Sequence, residues 1–88
     1  MHRVLLSTTF AKQFRDLPSG DQRRIRRKLA ALEQDPLAPR AGADIKRLAG
    51  TQPPKHRLRV GDYRIIYAVE RAEVRVIEVF RRARRYRE

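Results

Sequence analysis

Residues 55–69 read KHRLRVGDYRIIYAV, and their alternation decides the fold. Apolar and basic residues trade places on both sides of Gly61-Asp62, a two-residue break with glycine first, which suits a type II′ hairpin turn. That turn pairs Val60 with Tyr63 and sets Arg59 directly opposite Arg64. Successive strand residues point to opposite faces. Leu58, Val60, Tyr63, Ile65 and Tyr67 therefore share the face that needs a core, with His56 beside them, and Arg57, Arg59, Arg64 and Ile66 share the other. Like charges directly opposite in a sheet cost a few tenths to about 1 kcal/mol. A surface that accepts this cost with no acid nearby is arranged for an anion.

Working outward, residues 73–80 (EVRVIEVF) read as a further strand after a short polar break. Residues 2–7 (HRVLLS) read as a short N-terminal strand. Phe10, Phe14 and Leu17 then fall at i, i+4 and i+7, one stripe of a helix that begins near residues 7–9 and ends at Pro18. Ser19 with Gln22 three residues on is a capping-box pattern. It opens a second helix striped by Ile25, Leu29 and Leu32, which Pro36 closes after Asp35. So short a turn predicts an αα-hairpin. Residues 36–54 carry four prolines and two glycines and read mostly as loop, anchored by Ile45 and Leu48. The chain ends in a basic tail, RRARRYRE. The expectation is a single α+β domain over residues 1–88, an antiparallel β-sheet in β-α-α-β-β-β order with an N-terminal helical hairpin packed on one face.

The charge says what that domain meets. Among 88 residues, 22 are Lys or Arg and 10 are Asp or Glu, a net +12. Such self-repulsion is relieved by a partner of opposite sign. A nucleic-acid backbone, RNA first, fits better than a membrane, because neither helix joins a broad apolar face to interfacial aromatics. With no cysteine, disulfides, thiolate metal sites and cysteine catalysis are excluded. Residues 1–9 lack a signal-peptide pattern and no apolar run is long enough to span a bilayer, so a cytoplasmic protein is expected. The run Arg23, Arg24, Arg26, Arg27 and Lys28 lies on the polar side of the second helix, a secondary electrostatic footprint on RNA.

The stretch KHRLRVGDYRIIYAV, together with VRVIEVFRRARRYRE at residues 74–88, resembles the RelE/ParE superfamily of toxin–antitoxin toxins, in its RelE-like mRNA interferase branch. The resemblance covers essentially the whole chain; its GDYRIIY and RRxxxY elements are the specific part. It implies a ribosome-dependent endoribonuclease that cuts mRNA in the decoding site without metal or other cofactor. The 2′-hydroxyl attacks the adjacent phosphate in line and leaves a 2′,3′-cyclic phosphate. Carried over by position, Lys55 and Arg57 match the basic pair that supports 2′-hydroxyl deprotonation and holds phosphates. Arg64 matches the arginine that stabilises charge on the scissile phosphate, Arg82 the one that assists the leaving oxygen, and Tyr86 the tyrosine that stacks on a base. Arg59, Arg81, Arg84 and Arg85 are the expected RNA-binding residues around them. The implied partners are the ribosome, its mRNA and a cognate antitoxin whose acidic amphipathic segment covers the toxin in a hetero-oligomer.

Two positions depart from the family pattern: Arg81 stands where many members have His, and Arg57 where Lys is frequent, a much poorer proton acceptor. Guanidinium groups suit a phosphate-transfer transition state, whose oxygens they hold bidentately. A free-standing ribonuclease of this chemistry also wants acid–base groups near neutrality. The only histidines are His2 and the inward-turned His56, so a ribosome that positions the substrate fits the composition. Two alternatives remain open from sequence: a ParE-like poison of DNA gyrase, and a catalytically inactive RNA-binding homologue. Gyrase poisons generally lack the full set Lys55, Arg57, Arg64, Arg82 and Tyr86.

Overall fold

The structure, a computed structural model, describes residues 1–82. The described residues run β1 (Arg3–Leu6), α1 (Thr8–Arg15), α2 (Ser19–Gln34), β2 (Asp44–Leu48), β3 (Lys55–Val60), β4 (Tyr63–Glu70) and β5 (Glu73–Arg81). All five strands join one sheet in the order β1-β5-β4-β3-β2. Both helices lie on one face, where Phe10, Ile25, Leu29 and Leu32 meet Ile45, Leu58, Val60, Tyr63, Ile65, Tyr67, Val74, Val76 and Val79. No described helix is long and apolar enough to cross a membrane.

The α+β architecture is the expected one, with two differences. Residues 44–48 form a strand where the sequence reads as loop. They alternate Asp-Ile-Lys-Arg-Leu, with Ile45 buried and Leu48 half-buried. The flanking glycines that hid the strand are the turns that admit it, since Gly42 and Gly50 have φ of 86° and 74°. The sheet is also mixed, because β1 pairs with β5 in parallel, Arg3 opposite Glu73 through Leu6 opposite Val76. The two helices carry the chain from β1 to β2 at the far edge of the sheet, and β2 to β5 return as antiparallel neighbours, which brings β5 beside β1 in the same direction.

The hairpin at Gly61-Asp62 forms in the expected register: Val60 faces Tyr63, and Arg59 faces Arg64. Gly61 takes φ 58°, as the first position of a II′ turn requires. One irregularity follows in β4–β5. Ile66 pairs with Glu78 but Tyr67 pairs with Val76, so Ile77 is an extra residue on β5. This bulge lets Val76 and Val79, three apart, both face the core. Without it, strict alternation from Val76 would drive Glu78 inward.

Helix ends are tied locally. Ser7 caps α1, its Oγ accepting from the Phe10 N–H at 2.9 Å and donating to the Ile77 carbonyl at 2.6 Å. The capping box expected at Ser19 and Gln22 does not form. Pro18 occupies the cap position with no side-chain bond, and Ser19 is already helical. The Gln22 amide instead donates to the Phe14 and Leu17 carbonyls at 2.9 and 3.1 Å. The turn between the helices is so tight that α1's unpaired carbonyls lie within reach of α2's first turn. Tyr67, wholly buried, donates its hydroxyl to the Pro36 carbonyl at 2.6 Å and fixes the chain where α2 ends.

Candidate nucleic-acid interface

The face turned away from the helices carries the charge. Lys55, Arg57 and Arg59 stand on alternate positions of β3, about 6–7 Å apart along the strand. Across β4 they face Ala68, Ile66 and Arg64 respectively. Arg64 is half-buried, and its Nη1 donates to the Gly61 and Tyr63 carbonyls, both at 3.2 Å. Arg82 arrives from β5: its backbone N–H donates to the Asp62 carbonyl at 2.7 Å, which brings the start of the tail to the hairpin tip.

The electrostatics record the same gathering. Burial, and then the guanidinium groups of Arg59, Arg57 and Arg82, push Arg64 below the usual arginine range, against an opposing pull from Asp44. The group stays cationic, as arginine does in proteins. Three like charges near a partly desolvated guanidinium are a local cost that an anion would remove.

One expectation about this face is corrected. The arginines are not without an acid: Arg57 Nη2 lies 2.9 Å from Asp44 Oδ1. Asp44 sits opposite Arg59 on β2, diagonal to Arg57, and could not be placed while residues 44–48 read as loop. The Asp44 side chain is 56% exposed, so the pair is a surface one whose partner a phosphate can replace. Glu78 was missed too; the bulge puts it in the cross-strand row of Ile66 and Arg57.

The remaining expected residues divide. Lys55 stands on the cationic face at the start of β3, its backbone N–H held by Thr51 Oγ1 at 2.9 Å. Arg81 does not join the others. It pairs with Tyr63, and its guanidinium lies 5.5 Å from that ring's centroid, on the helix side of the sheet. Arg84, Arg85 and Tyr86 lie outside the described residues. His56 is buried and stacked on Tyr67 at 5.4 Å between ring centroids, and burial followed by Arg47 lowers its pKa, in keeping with a structural role. Tyr63 and Tyr67 are core residues; the Tyr63 hydroxyl donates to Asp21 Oδ2 at 2.9 Å. The basic run of α2 splits as well. Arg26 lies over the Phe14 ring at 5.3 Å, while Arg24 and Lys28 turn toward the β2–β3 end of the sheet.

A helix pair on one face of a five-stranded sheet and a cationic cluster on the other define a small basic α+β protein of the RelE/ParE kind. The chain belongs to that family: the pattern described as ParE toxin of type II toxin–antitoxin system, parDE, matches residues 4–86. Among solved structures it is similar to a chain of the archaeal RelE–RelB complex from Pyrococcus horikoshii OT3, at 31% identity and a TM-score of 0.81, covering 94% of this chain and 97% of that one. A chain of the RelB–RelE antitoxin–toxin complex from Methanococcus jannaschii follows at 25% identity and 0.78, covering 94% and 95%. The isolated RelE toxin of E. coli matches at 25% identity and 0.72, covering 92% and 84%. A comparison with curated proteins gives no match.

Proposed function

We propose that this toxin is a metal-independent endoribonuclease that cuts mRNA on the ribosome and so inhibits translation. The observation that carries the reading is the set of guanidinium groups around half-buried Arg64, drawn from β3, β4 and the end of β5. In the proposed reaction the 2′-oxygen loses its proton and bonds to the adjacent phosphorus. The P–O5′ bond breaks in line, and the departing oxygen takes up a proton. The products are a 2′,3′-cyclic phosphate and a 5′-hydroxyl. Arg64, with Arg57 beside it, holds the non-bridging oxygens as charge builds on them. Lys55 favours the ionised 2′-oxygen, Arg82 approaches the leaving oxygen from the hairpin tip, and Tyr86 stacks on a base. With no near-neutral proton carrier among these residues, the alignment of the 2′-oxygen carries more of the rate, which is what a ribosome-held substrate supplies. The single domain would act in the cytoplasm, restrained by an antitoxin whose acidic segment covers the cationic face.

The test is to map cuts in translating mRNA in a purified system. Ribosome-dependent cuts ending in cyclic phosphate are expected. Arg64→Ala should slow them by about 10²–10³-fold, the usual loss for one transition-state donor, with the fold unchanged by circular dichroism. The family description favours a second reading, a ParE-type gyrase poison. Trapped gyrase–DNA complexes with intact mRNA would establish that reading and end the first.

A further inference from the structure

A second cationic site lies around the hairpin tip from Arg64. Between α2 and the β2–β3 end of the sheet is a groove of about 400 Å³, walled by Arg24, Lys28, Arg40 and Arg59, with Asp44 as its one acid. Three of these cations are held in place by the protein. Lys28 Nζ donates to the Gly42 carbonyl at 2.9 Å. Arg40 donates to the carbonyls of Ala31, Asp35 and Ala38 at 3.0, 3.0 and 2.6 Å. Arg24 lies over the hairpin turn, where a Cβ on Gly61 would meet its Nη2 at 2.6 Å; the glycine makes room for the guanidinium. Arg24 also reaches Asp21 at 3.6 Å, a long and half-exposed contact that leaves most of its donors available.

Arg59 belongs to both sites. It faces Arg64 on the cationic side of the sheet and contributes to the groove wall at the β3 end of the turn. A polyanion leaving Arg64 therefore meets Arg59 next and, past Gly61, Arg24 and Lys28, with Asp44 and the exposed Asp62 as the acids beside that path. The groove's apolar lining, Ala43 and Val60, is buried. The large exposed apolar residues, Met1, Leu6 and Leu37, do not line it. An amphipathic protein segment needs apolar anchors in its groove; a phosphodiester backbone needs cations and donors.

We infer that the groove of Arg24, Lys28, Arg40 and Arg59 is a second phosphate-binding site, which holds the backbone of the same RNA strand that Arg64 grips. The inference rests on the ribonuclease reading for the identity of that strand. Its role is to fix the strand's path about the hairpin tip, so it acts on binding rather than on the bond that breaks.

The test is binding of a short single-stranded RNA built of 2′-O-methyl nucleotides, which lack the attacking hydroxyl, to the full chain at a series of salt concentrations. Arg24→Ala/Lys28→Ala should weaken binding roughly tenfold at low salt and reduce the slope of log K against log salt by about 1.4, two single-strand phosphate contacts. Arg24→Lys/Lys28→Arg should keep the slope. Lys12→Ala/Arg15→Ala, which removes two exposed cations of α1, controls for net charge. Wild-type affinity and slope in the groove variant, or an equal fall in both alanine variants, overturns the site. So does a loss confined to polyglutamate binding, which would make the groove a seat for an acidic protein. Cutting on ribosomes is scored separately. A lowered slope in a protein that cuts nothing retains the groove and removes the nuclease, and normal cutting with an unaltered slope does the reverse.

Discussion

Asp44 and His56 show how single residues tune the cationic face and the core beneath it. Asp44 holds Arg57 at 2.9 Å and opposes the depression of Arg64, so it competes with any anion at the site. Asp44→Asn should tighten binding of a short RNA by about twofold to fivefold, the scale of an exposed ion pair, as read by fluorescence anisotropy. His56 works through stability. Its folded pKa lies below the ordinary 6.5 because burial, and then Arg47, disfavour the imidazolium. The unfolded chain therefore binds this proton first as pH falls. Stability from His56 is complete above about pH 6.5 and is lost below it, toward the folded pKa. The urea midpoint should fall from pH 7.5 to pH 5.5, and His56→Gln should flatten that fall. The inward turn of His56 is legible in the sequence because the hairpin fixes parity along β3. The Arg57–Asp44 pair is not, because it needs a strand that composition disguises as loop.

At the scale of elements, the strands around Gly61-Asp62 follow from alternation and one turn, whereas contacts between elements distant in sequence do not. Gln22 satisfies the standard capping pattern, yet it closes the preceding helix; the pattern carries no information about a neighbour that brings its own open carbonyls. The β4–β5 turn adds a further case. Arg71 takes φ 55°, a left-handed value in a non-glycine residue, at the first position between Glu70 and its partner Glu73. Relief of that strain should let Arg71→Gly raise stability by about 1 kcal/mol, measurable as a higher denaturation midpoint with an unchanged slope. The acids here are answered by Arg75, which reaches Glu70 at 3.8 Å and Glu73 at 3.1 Å, so Arg71 is dispensable as a counter-charge.

Over the whole molecule, net charge and small size act together. The Cα radius of gyration is 12.1 Å, so even opposite surfaces lie only about two to three Debye lengths apart at 0.1 M salt, and neighbouring cations repel within one. The thermal midpoint should therefore rise by several degrees between low salt and about 0.5 M sodium chloride, in contrast to a protein held by surface ion pairs. The same repulsion is what an acidic antitoxin segment would discharge, coupling its binding to the toxin's own stability. Composition alone shows that charge; its division between the sheet face and the groove by α2 appears only once β2 and the hairpin tip are in place. The bulge at Ile77 carries this further. Since a one-residue slip exchanges the two sides of a strand, a β5 of this sequence that paired without the bulge would present Glu78 to the core and turn Val79 out of it. Loss of the Ile77 codon would restore plain alternation with Val76 still opposite Tyr67 and Glu78 still opposite Ile66, so the bulge is a splice that β5 could lose without turning any later side chain of the strand over.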